Sequence, residues 1–344
     1  MSIIKRAFRL AGLLVLSLLL LCMAGWGMLA LYYFDHASTE LRTGLAAAFG
    51  LALLAALAGF TLPQWRWRAF AGYSVLFLLV LWQWLAIEPS NERDWQPEVA
   101  VAPYATIDGD RVTVHNIRNF NYVSETDFTP AYYDKTFDLR QLDAVDLVAS
   151  YWMGPDIAHL FLSFEFDGKD HLAISIETRK EKGESYSTLG GFFRQYELYY
   201  VVADERDVIR VRTNYRRNPP EDVYLYSVKV PAGNARRLFL DYMEKINALK
   251  QRPEFYNTLT TNCTTNIWMH TRVNLGHPPL SWKILASGHI PKFLHEAGRL
   301  DTSVSFAELQ RRSHINARAQ AADEAEDFSR RIRAMPRYGA PSNR

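Results

Sequence analysis

Residues 158–177 read AHLFLSFEFDGKDHLAISIE, and they decide the kind of fold that this chain can form. Two runs rich in β-branched and aromatic residues lie on either side of the turn at Asp167 and Gly168, which predicts a β-hairpin. The strands of a hairpin run antiparallel, so Glu177 near the end of the second strand should lie opposite His159 at the start of the first. The stretch therefore predicts an antiparallel sheet with two polar side chains at one end.

Further elements are predicted on both sides of the hairpin. Apolar periodicity of about 3.6 residues predicts an amphipathic helix over 232–249, and a charged helix is expected over 306–333. The predicted fold class is α+β, an antiparallel sheet with helices. Short β-rich runs predict additional strands at 111–115, 147–152, 209–212 and 222–230.

A second informative stretch, TTNCTTNIW over 260–268, holds the only cysteine outside the apolar N-terminal region. Small polar residues flank Cys263, and Asn262 or a neighbouring threonine can cap a helix that begins there. A sulfur at a helix N-terminus meets the positive end of the dipole and free N–H groups, which favour the thiolate. The alternative is an inert, buried cysteine beside a helix cap.

A cysteine at a helix start and a histidine on a core strand are the parts of a Cys–His nucleophilic enzyme. In this hypothesis His159 deprotonates Cys263, and the thiolate attacks an acyl carbon. A third polar group orients the imidazole. Glu177 is the first candidate and His171 the second, although hairpin pairing places His171 at the far end of the strands. Asn262 or the backbone N–H of Cys263 is a candidate oxyanion donor.

Other assignments of these residues stay open. A histidine on a strand is often structural, and the segment with Glu177 and Arg179 can be a solvated charged face. No HExxH or CxxC spacing occurs, so neither a metal nor a cofactor is predicted. The formal net charge is only +2, which gives no indication of a nucleic-acid partner. The rival bases are His115, His270, His277, His289 and His295.

The first 88 residues are strongly apolar. Three runs without charged residues, at 10–34, 43–65 and 69–87, are each long enough to cross a hydrocarbon core of about 30 Å as a helix. By the positive-inside rule the N-terminus and the second connection lie in the cytoplasm, and the large domain lies on the far side. The basic residues on which this orientation rests are Lys5, Arg6, Arg9, Arg66 and Arg68.

The expected domain organisation follows from these patterns. Residues 1–88 form a membrane anchor, 89–104 a proline-containing linker, 105–300 the domain with the Cys–His pair, and 301–344 a charged helix with a disordered tail. A glycine- and serine-rich loop over 183–191 is expected to be flexible. The aromatic residues that follow it are candidates for the wall of an acyl-chain groove: Phe192, Phe193, Tyr196, Tyr199 and Tyr200.

The order of histidine on a strand and then cysteine at a helix start resembles the circularly permuted papain-like enzymes. These include the lecithin:retinol acyltransferase class, which transfers acyl chains through a cysteine thioester. The runs GPDIAHLFLSFEFDG, SIETRKEKGESYS and YNTLTTNCTTNIW look like the bacterial Lnb N-terminal periplasmic domain family over roughly residues 95–275. That family has been linked to N-acylation of bacterial lipoproteins by a Cys–His mechanism.

This resemblance implies a permuted papain-like domain on the periplasmic side of the bacterial inner (cytoplasmic) membrane, and the three predicted transmembrane helices before it suit such proteins. It also implies that His159 is the base and Cys263 the nucleophile, with Glu177 and Arg179 near the site.

The resulting hypothesis is a membrane-anchored thiol acyltransferase or hydrolase that uses membrane lipid or lipoprotein acyl chains and no cofactor. The alternatives are an amidase or peptidase acting on cell-wall peptide and a non-catalytic envelope scaffold.

Overall fold

The computed structural model describes residues 3–34 and 38–334. The chain divides into two compact units. The first unit comprises Met1–Ser90 together with Tyr186–Tyr196, and the second comprises Asn91–Ser185 together with Glu197–Arg344. The predicted tail over 335–344 lies outside the described residues.

The first unit contains three long helices: α1 (Ile3–Tyr32), α2 (Thr39–Thr61) and α3 (Arg66–Leu85). All three are long and apolar enough to cross a membrane, which confirms the three predicted transmembrane helices. Ser38 caps α2, because its side chain accepts a hydrogen bond from the backbone N–H of Leu41. The helices pack around small residues and rings, including the Phe49–Tyr73 pair, whose ring centroids are 5.1 Å apart.

The segment Tyr186–Tyr196 packs with these helices. The ring of Phe193 stacks on Tyr33 at 5.8 Å between centroids and lies 5.9 Å from the ring of Trp26. Nη1 of Arg194 donates to the carbonyl oxygens at the end of α3, at 3.2, 3.1 and 3.0 Å. A cation there satisfies carbonyls that have no partner within the helix. These contacts involve residues just after 183–191, so the flexibility of that loop stays a prediction.

The second unit is built on an eight-stranded sheet, which confirms the predicted α+β class. The strand order is β1-β2-β9-β8-β7-β6-β10, with β5 also paired to β2, and the pairings are antiparallel except between β2 and β9. A separate pair is formed by β3 (Asn121–Tyr122) and β4 (Phe128–Thr129). The strands of the large sheet are β1 (Tyr104–Asp108), β2 (Arg111–Arg118), β5 (Tyr132–Asp138), β6 (Leu142–Tyr151), β7 (Ala158–Phe166), β8 (Asp170–Arg179), β9 (Glu197–Asp204) and β10 (Asp222–Val228).

Helices cover both faces of this sheet. On one face the aromatic ring of Phe164 meets Phe239 at 5.1 Å, and the helix after β10 buries its apolar stripe there. On the other face Phe161 packs with Ile315 and Phe328 of the C-terminal helices. The helices of this unit are α4 (Glu205–Val208), α5 (Ala232–Gln251), α6 (Cys263–Thr271), α7 (Ile290–Glu296), α8 (Phe306–Ser313), α9 (Asn316–Ala321) and α10 (Phe328–Arg333).

Three sequence expectations differ from the observed elements. The predicted strand at 209–212 is helical, because α4 continues into a π-helical turn over Val211–Tyr215 and its arginines are buried and paired rather than exposed. The predicted helix over 306–333 is divided into α8, α9 and α10. The expected linker packs against the second unit from Asn91 onward and buries Trp95.

Candidate functional site

Two polar side chains meet at the end of the β7–β8 hairpin. Leu162 pairs with Ile174, and the same register carried to the strand ends brings position 159 opposite position 177. Nε2 of His159 lies 3.1 Å from Oε1 of Glu177. The exposed fractions are 12% for the His159 side chain and 26% for Glu177, so the pair is largely shielded from water. An imidazole and a carboxylate in this arrangement fix the orientation of the ring.

Ser175 joins this pair from the same face of β8. Its Oγ lies 2.6 Å from Nε2 of His159 and donates to Oε1 of Glu177 at 2.6 Å. The serine side chain is fully buried, and its hydrogen-bond partners are two protein side chains. Sequence reasoning missed Ser175, although its position two residues before Glu177 places both on one face of the strand.

Cys263 is the first residue of α6, and Asn262 is its N-cap. The Asn262 side chain accepts from the backbone N–H of Thr265 at 2.8 Å, and Oγ1 of Thr265 accepts from the backbone N–H of Asn262 at 2.8 Å. This reciprocal pair is a capping box. Cys263 therefore directly follows the N-cap of α6, at the positive end of the helix dipole.

The His159 side chain and the backbone N–H of Leu160 act on the Cys263 thiol and lower its pKa. Because Nε2 of His159 faces Ser175 and Glu177, Nδ1 is the ring nitrogen available to the sulfur. Cys263, His159 and Glu177, named separately from the sequence, are thus brought together by the structure.

The charges of these groups support one another. Burial alone would raise the pKa of the Cys263 thiol, but the facing His159 outweighs it and the pKa is lowered. Burial would lower the pKa of His159, but the Glu177 carboxylate and Cys263 raise it to about 9. Burial opposes ionisation of Glu177, yet His159 and Arg212 hold its pKa well below the ordinary range. The arrangement therefore favours a thiolate beside an imidazolium.

Arg212 forms an ion pair with the Glu177 carboxylate. Its Nη2 lies 2.7 Å from Oε1 of Glu177, and its Nη1 donates to the Val208 carbonyl at 3.0 Å. The guanidinium carbon lies 5.3 Å from the centroid of the Phe161 ring. Only 4% of the side chain is exposed. Sequence reasoning missed this residue because the alternation around it predicted a half-exposed strand.

The remaining predicted site residues have other partners. Nδ2 of Asn262 donates to the Thr258 carbonyl at 2.8 Å, so its side chain serves the helix cap and the backbone N–H of Cys263 is the better oxyanion candidate. Arg179 donates to the carbonyls of Val99 and Ala100, both at 3.0 Å, and holds the segment that precedes β1. His171 pairs with Glu165 in the strand register, at the opposite end of the hairpin from His159.

The rival histidines also have partners of their own. His270 is buried, with Nδ1 at 2.5 Å from Asp241 and Nε2 at 2.7 Å from the Tyr200 hydroxyl. His115 contacts Asp134 at 2.7 Å, and His289 contacts Asp156 at 2.9 Å. His277 and His295 lie 2.9 and 3.0 Å from the carbonyl oxygens of Pro278 and Val304.

An apolar cavity of about 150 Å³ lies beside this group. One of its lining residues is Thr264, whose Oγ1 is 3.7 Å from the sulfur of Cys263. The aromatic residues predicted to line an acyl groove are elsewhere, since Tyr199 packs on Arg179 and Phe193 packs with the membrane helices. Apolar lining is contributed by Leu147, Leu160, Leu162, Leu238, Ile267, Trp268, Ile284 and Phe293.

Comparison with known proteins adds one match. Residues 128–288 match the family model described as the Lnb N-terminal periplasmic domain. This part of the chain belongs to the Lnb N-terminal periplasmic domain family. The matched region includes His159, Glu177 and Cys263. No curated protein and no solved structure matches the chain. The Lnb N-terminal domain and the three candidate spans together identify a membrane protein with a periplasmic domain.

Proposed function

We propose that this protein is a thiol-dependent acyltransferase or hydrolase whose nucleophile is Cys263. The observation that carries the proposal is the group formed by Cys263, His159 and Glu177, in which His159 contacts Glu177 at 3.1 Å and lowers the pKa of the Cys263 thiol. A lowered thiol pKa and an oriented imidazole are the two requirements of Cys–His nucleophilic catalysis.

The reaction proceeds in two steps. The Cys263 thiolate adds to the carbonyl carbon of an ester or amide, and the backbone N–H of Cys263 donates to the oxyanion. The tetrahedral intermediate collapses to a thioester, and His159 gives its proton to the departing alcohol or amine. An incoming amine or water then loses a proton to His159, attacks the thioester, and releases Cys263. Glu177 keeps the imidazole oriented throughout.

The apolar cavity supports an acyl chain as the group that is transferred. Hydrocarbon binding in a site of this lining is stabilised by removal of apolar surface from water. Phospholipid or lipoprotein acyl chains are therefore the proposed donors. We place the three spans in the bacterial inner (cytoplasmic) membrane with the N-terminus in the cytoplasm, because Arg66 and Arg68 lie in the first turn of α3, next to the second connection.

The test measures the intact mass of the full-length protein after incubation with phospholipid vesicles. The wild type should gain a hydroxylamine-sensitive acyl group, and Cys263→Ser should gain none. Cys22→Ser is the matched control, since Cys22 lies in α1, and it should still be acylated.

Absence of the acyl adduct would point to a different function for the protein. Fast alkylation of Cys263 without an acyl adduct would point to an amidase or peptidase that acts on cell-wall peptide. Slow alkylation without an adduct would contradict the enzyme proposal and leave a scaffold in the envelope.

A further inference from the structure

The segment between α6 and α7 exposes an unusual amount of apolar surface. We name residues 275–285 the apolar loop; they read LGHPPLSWKIL. The exposed fractions of its large side chains are 97% for Leu275, 73% for Leu280, 65% for Trp282 and 51% for Leu285. Several large apolar residues exposed within eleven positions of a folded segment mark an interaction surface rather than scattered surface leucines.

The apolar loop is held in place by hydrogen bonds and a buried anchor. Nε1 of Trp268 donates to the Pro278 carbonyl at 2.9 Å, and Nη2 of Arg299 donates to the Gly276 carbonyl at 2.9 Å. Ile284 is 4% exposed and lines the cavity. The loop thus has a fixed inner side, so its outer leucines and Trp282 are presented to the exterior by the fold.

The sequence around the loop carries a net positive charge, which favours an anionic partner. Residues 264–300 contain four Lys or Arg residues and a single acidic residue, Glu296. Lys283 belongs to the loop itself and pairs with Glu296 at 3.1 Å, and Arg272 and Arg299 lie on either side of the loop, so the excess of positive charge comes from Arg272, Lys292 and Arg299. Segments that lie in the interface of an anionic bilayer typically combine leucine and tryptophan with lysine and arginine.

From these observations we propose that the apolar loop inserts Leu275, Leu280 and Trp282 into the head-group region of an anionic phospholipid bilayer. The chain has three candidate membrane spans and is therefore resident at such a surface. Tryptophan favours this layer because its ring is apolar and its N–H is polar. The inference does not depend on Cys263 being a nucleophile.

The loop also connects this surface with the cavity. His277, Pro278, Pro279 and Ile284 form part of the cavity wall. If the proposed function is correct, the segment that contacts lipid is the one that borders the acyl-chain cavity. An acyl chain then passes from lipid to an apolar lining, with little exposure to water.

The test uses the full-length protein with Cys22 and Cys263 changed to serine, reconstituted in bilayers of phosphatidylethanolamine and phosphatidylglycerol. A single environment-sensitive fluorophore is attached to Leu280→Cys. The matched control is Val123→Cys, because Val123 is 72% exposed and lies in the second unit, outside the apolar loop. Both positions are on the surface, so neither change should unfold the protein.

Lipids that carry a nitroxide near the head-group end of the acyl chain should quench the label at position 280 by about twofold or more, as expected for insertion of roughly 5–10 Å. Nitroxides near the chain end should quench less, and the label at 123 should be unaffected. Equal quenching at both positions, no quenching at 280, or shielding of 280 that depends only on protein concentration would each overturn the proposal. The Cys263→Ser background keeps this result separate from the acylation test.

Discussion

At the scale of single residues, the proposed chemistry depends on how Glu177 changes the pKa of His159. Burial alone would lower the pKa of His159, and the carboxylate is the first of the groups that raise it to about 9. The thiolate–imidazolium pair should therefore exist from the lowered pKa of Cys263 up to about pH 9. Above that pH the imidazolium loses its proton and the pair is lost.

Replacing Glu177 with glutamine should narrow this pH range from its alkaline side. Without the carboxylate charge, the pKa of His159 should fall toward its ordinary value, because burial then has less opposition. We expect acyl-enzyme formation at neutral pH to slow by on the order of 10²-fold. The measurement is the rate of iodoacetamide alkylation and of thioester formation between pH 5 and pH 10.

Glu165→Gln provides the matched control for this change. Glu165 belongs to the same hairpin and lies 3.6 Å from a histidine, His171, but at the opposite end of the strands. The pH profile of alkylation and thioester formation for Glu165→Gln should equal that of the wild type. An unchanged profile in Glu177→Gln would remove Glu177 from the proposed mechanism.

The residue pairs that sequence reasoning found are those set by local patterns. The hairpin register brings His159 and Glu177 together, and the capping signal at Asn262 places Cys263 at a helix start. Ser175 and Arg212 could not be recognised in the same way. Their importance follows from burial beside Glu177, and a sequence alone does not show which polar residues are buried together.

At the scale of elements, α10 is attached to the sheet by a buried ion cluster. Nη2 of Arg333 lies 2.6 Å from Asp146 of β6 and 2.7 Å from Glu205 of α4. The side chain of Glu205 is 0% exposed, and Ser163 donates to it at 2.6 Å. Burial would raise the pKa of Glu205, but Arg333 outweighs it and lowers the pKa to about 2.

Arg333→Met should lower the free energy of unfolding by about 3–5 kcal/mol at pH 7, because it leaves two buried carboxylates without their cation. The pH-dependent part of this stabilisation comes from the ionised Glu205 carboxylate, whose pKa is lowered in the folded protein. It should therefore be complete above pH 4.5, the ordinary pKa of Glu205, and disappear as the pH falls toward 2. Urea unfolding of the full-length protein at several pH values measures the difference.

Arg331→Met is the control on the same helix, because Arg331 is 56% exposed and pairs with Asp327 at the surface. It should change stability little. A loss for Arg333→Met no larger than that of Arg331→Met would contradict the assigned role of the cluster.

Strong local signals predicted most of the elements in this part of the chain. The hairpin of β7 and β8 and the helices α5 and α6 follow from alternation, amphipathic spacing and a cap. The failure at 209–212 has a physical reason, since apolar and basic residues alternate there as in a strand. Burial of Arg210 and Arg212 with their partners favours the helical turns instead.

At the scale of the whole molecule, the topology of the three spans makes a direct prediction. Single cysteines are placed at Glu40 and Gln64, both exposed, in a background that lacks Cys22 and Cys263. A membrane-impermeant maleimide added to spheroplasts should label position 40 from the periplasmic side and position 64 only after lysis. The opposite pattern would reverse the proposed orientation.

The two-unit organisation was only partly predictable. The apolar runs predicted the helices by length alone, because a span of hydrocarbon requires about 20 residues. The assignment of Tyr186–Tyr196 to the first unit was not predictable. Its glycine and serine residues are typical of a loop, and its partners Trp26 and Tyr33 are more than a hundred positions away in the sequence.

The return of the chain to the helices at Tyr186–Tyr196 means that one cut cannot separate the units. A fragment beginning at Asn91 would retain a stretch whose rings, including Phe193, had lost their covering partners, and such a surface promotes aggregation. A soluble version of the periplasmic domain therefore requires a second deletion, with Ser185 rejoined to Glu197 through a short polar connection.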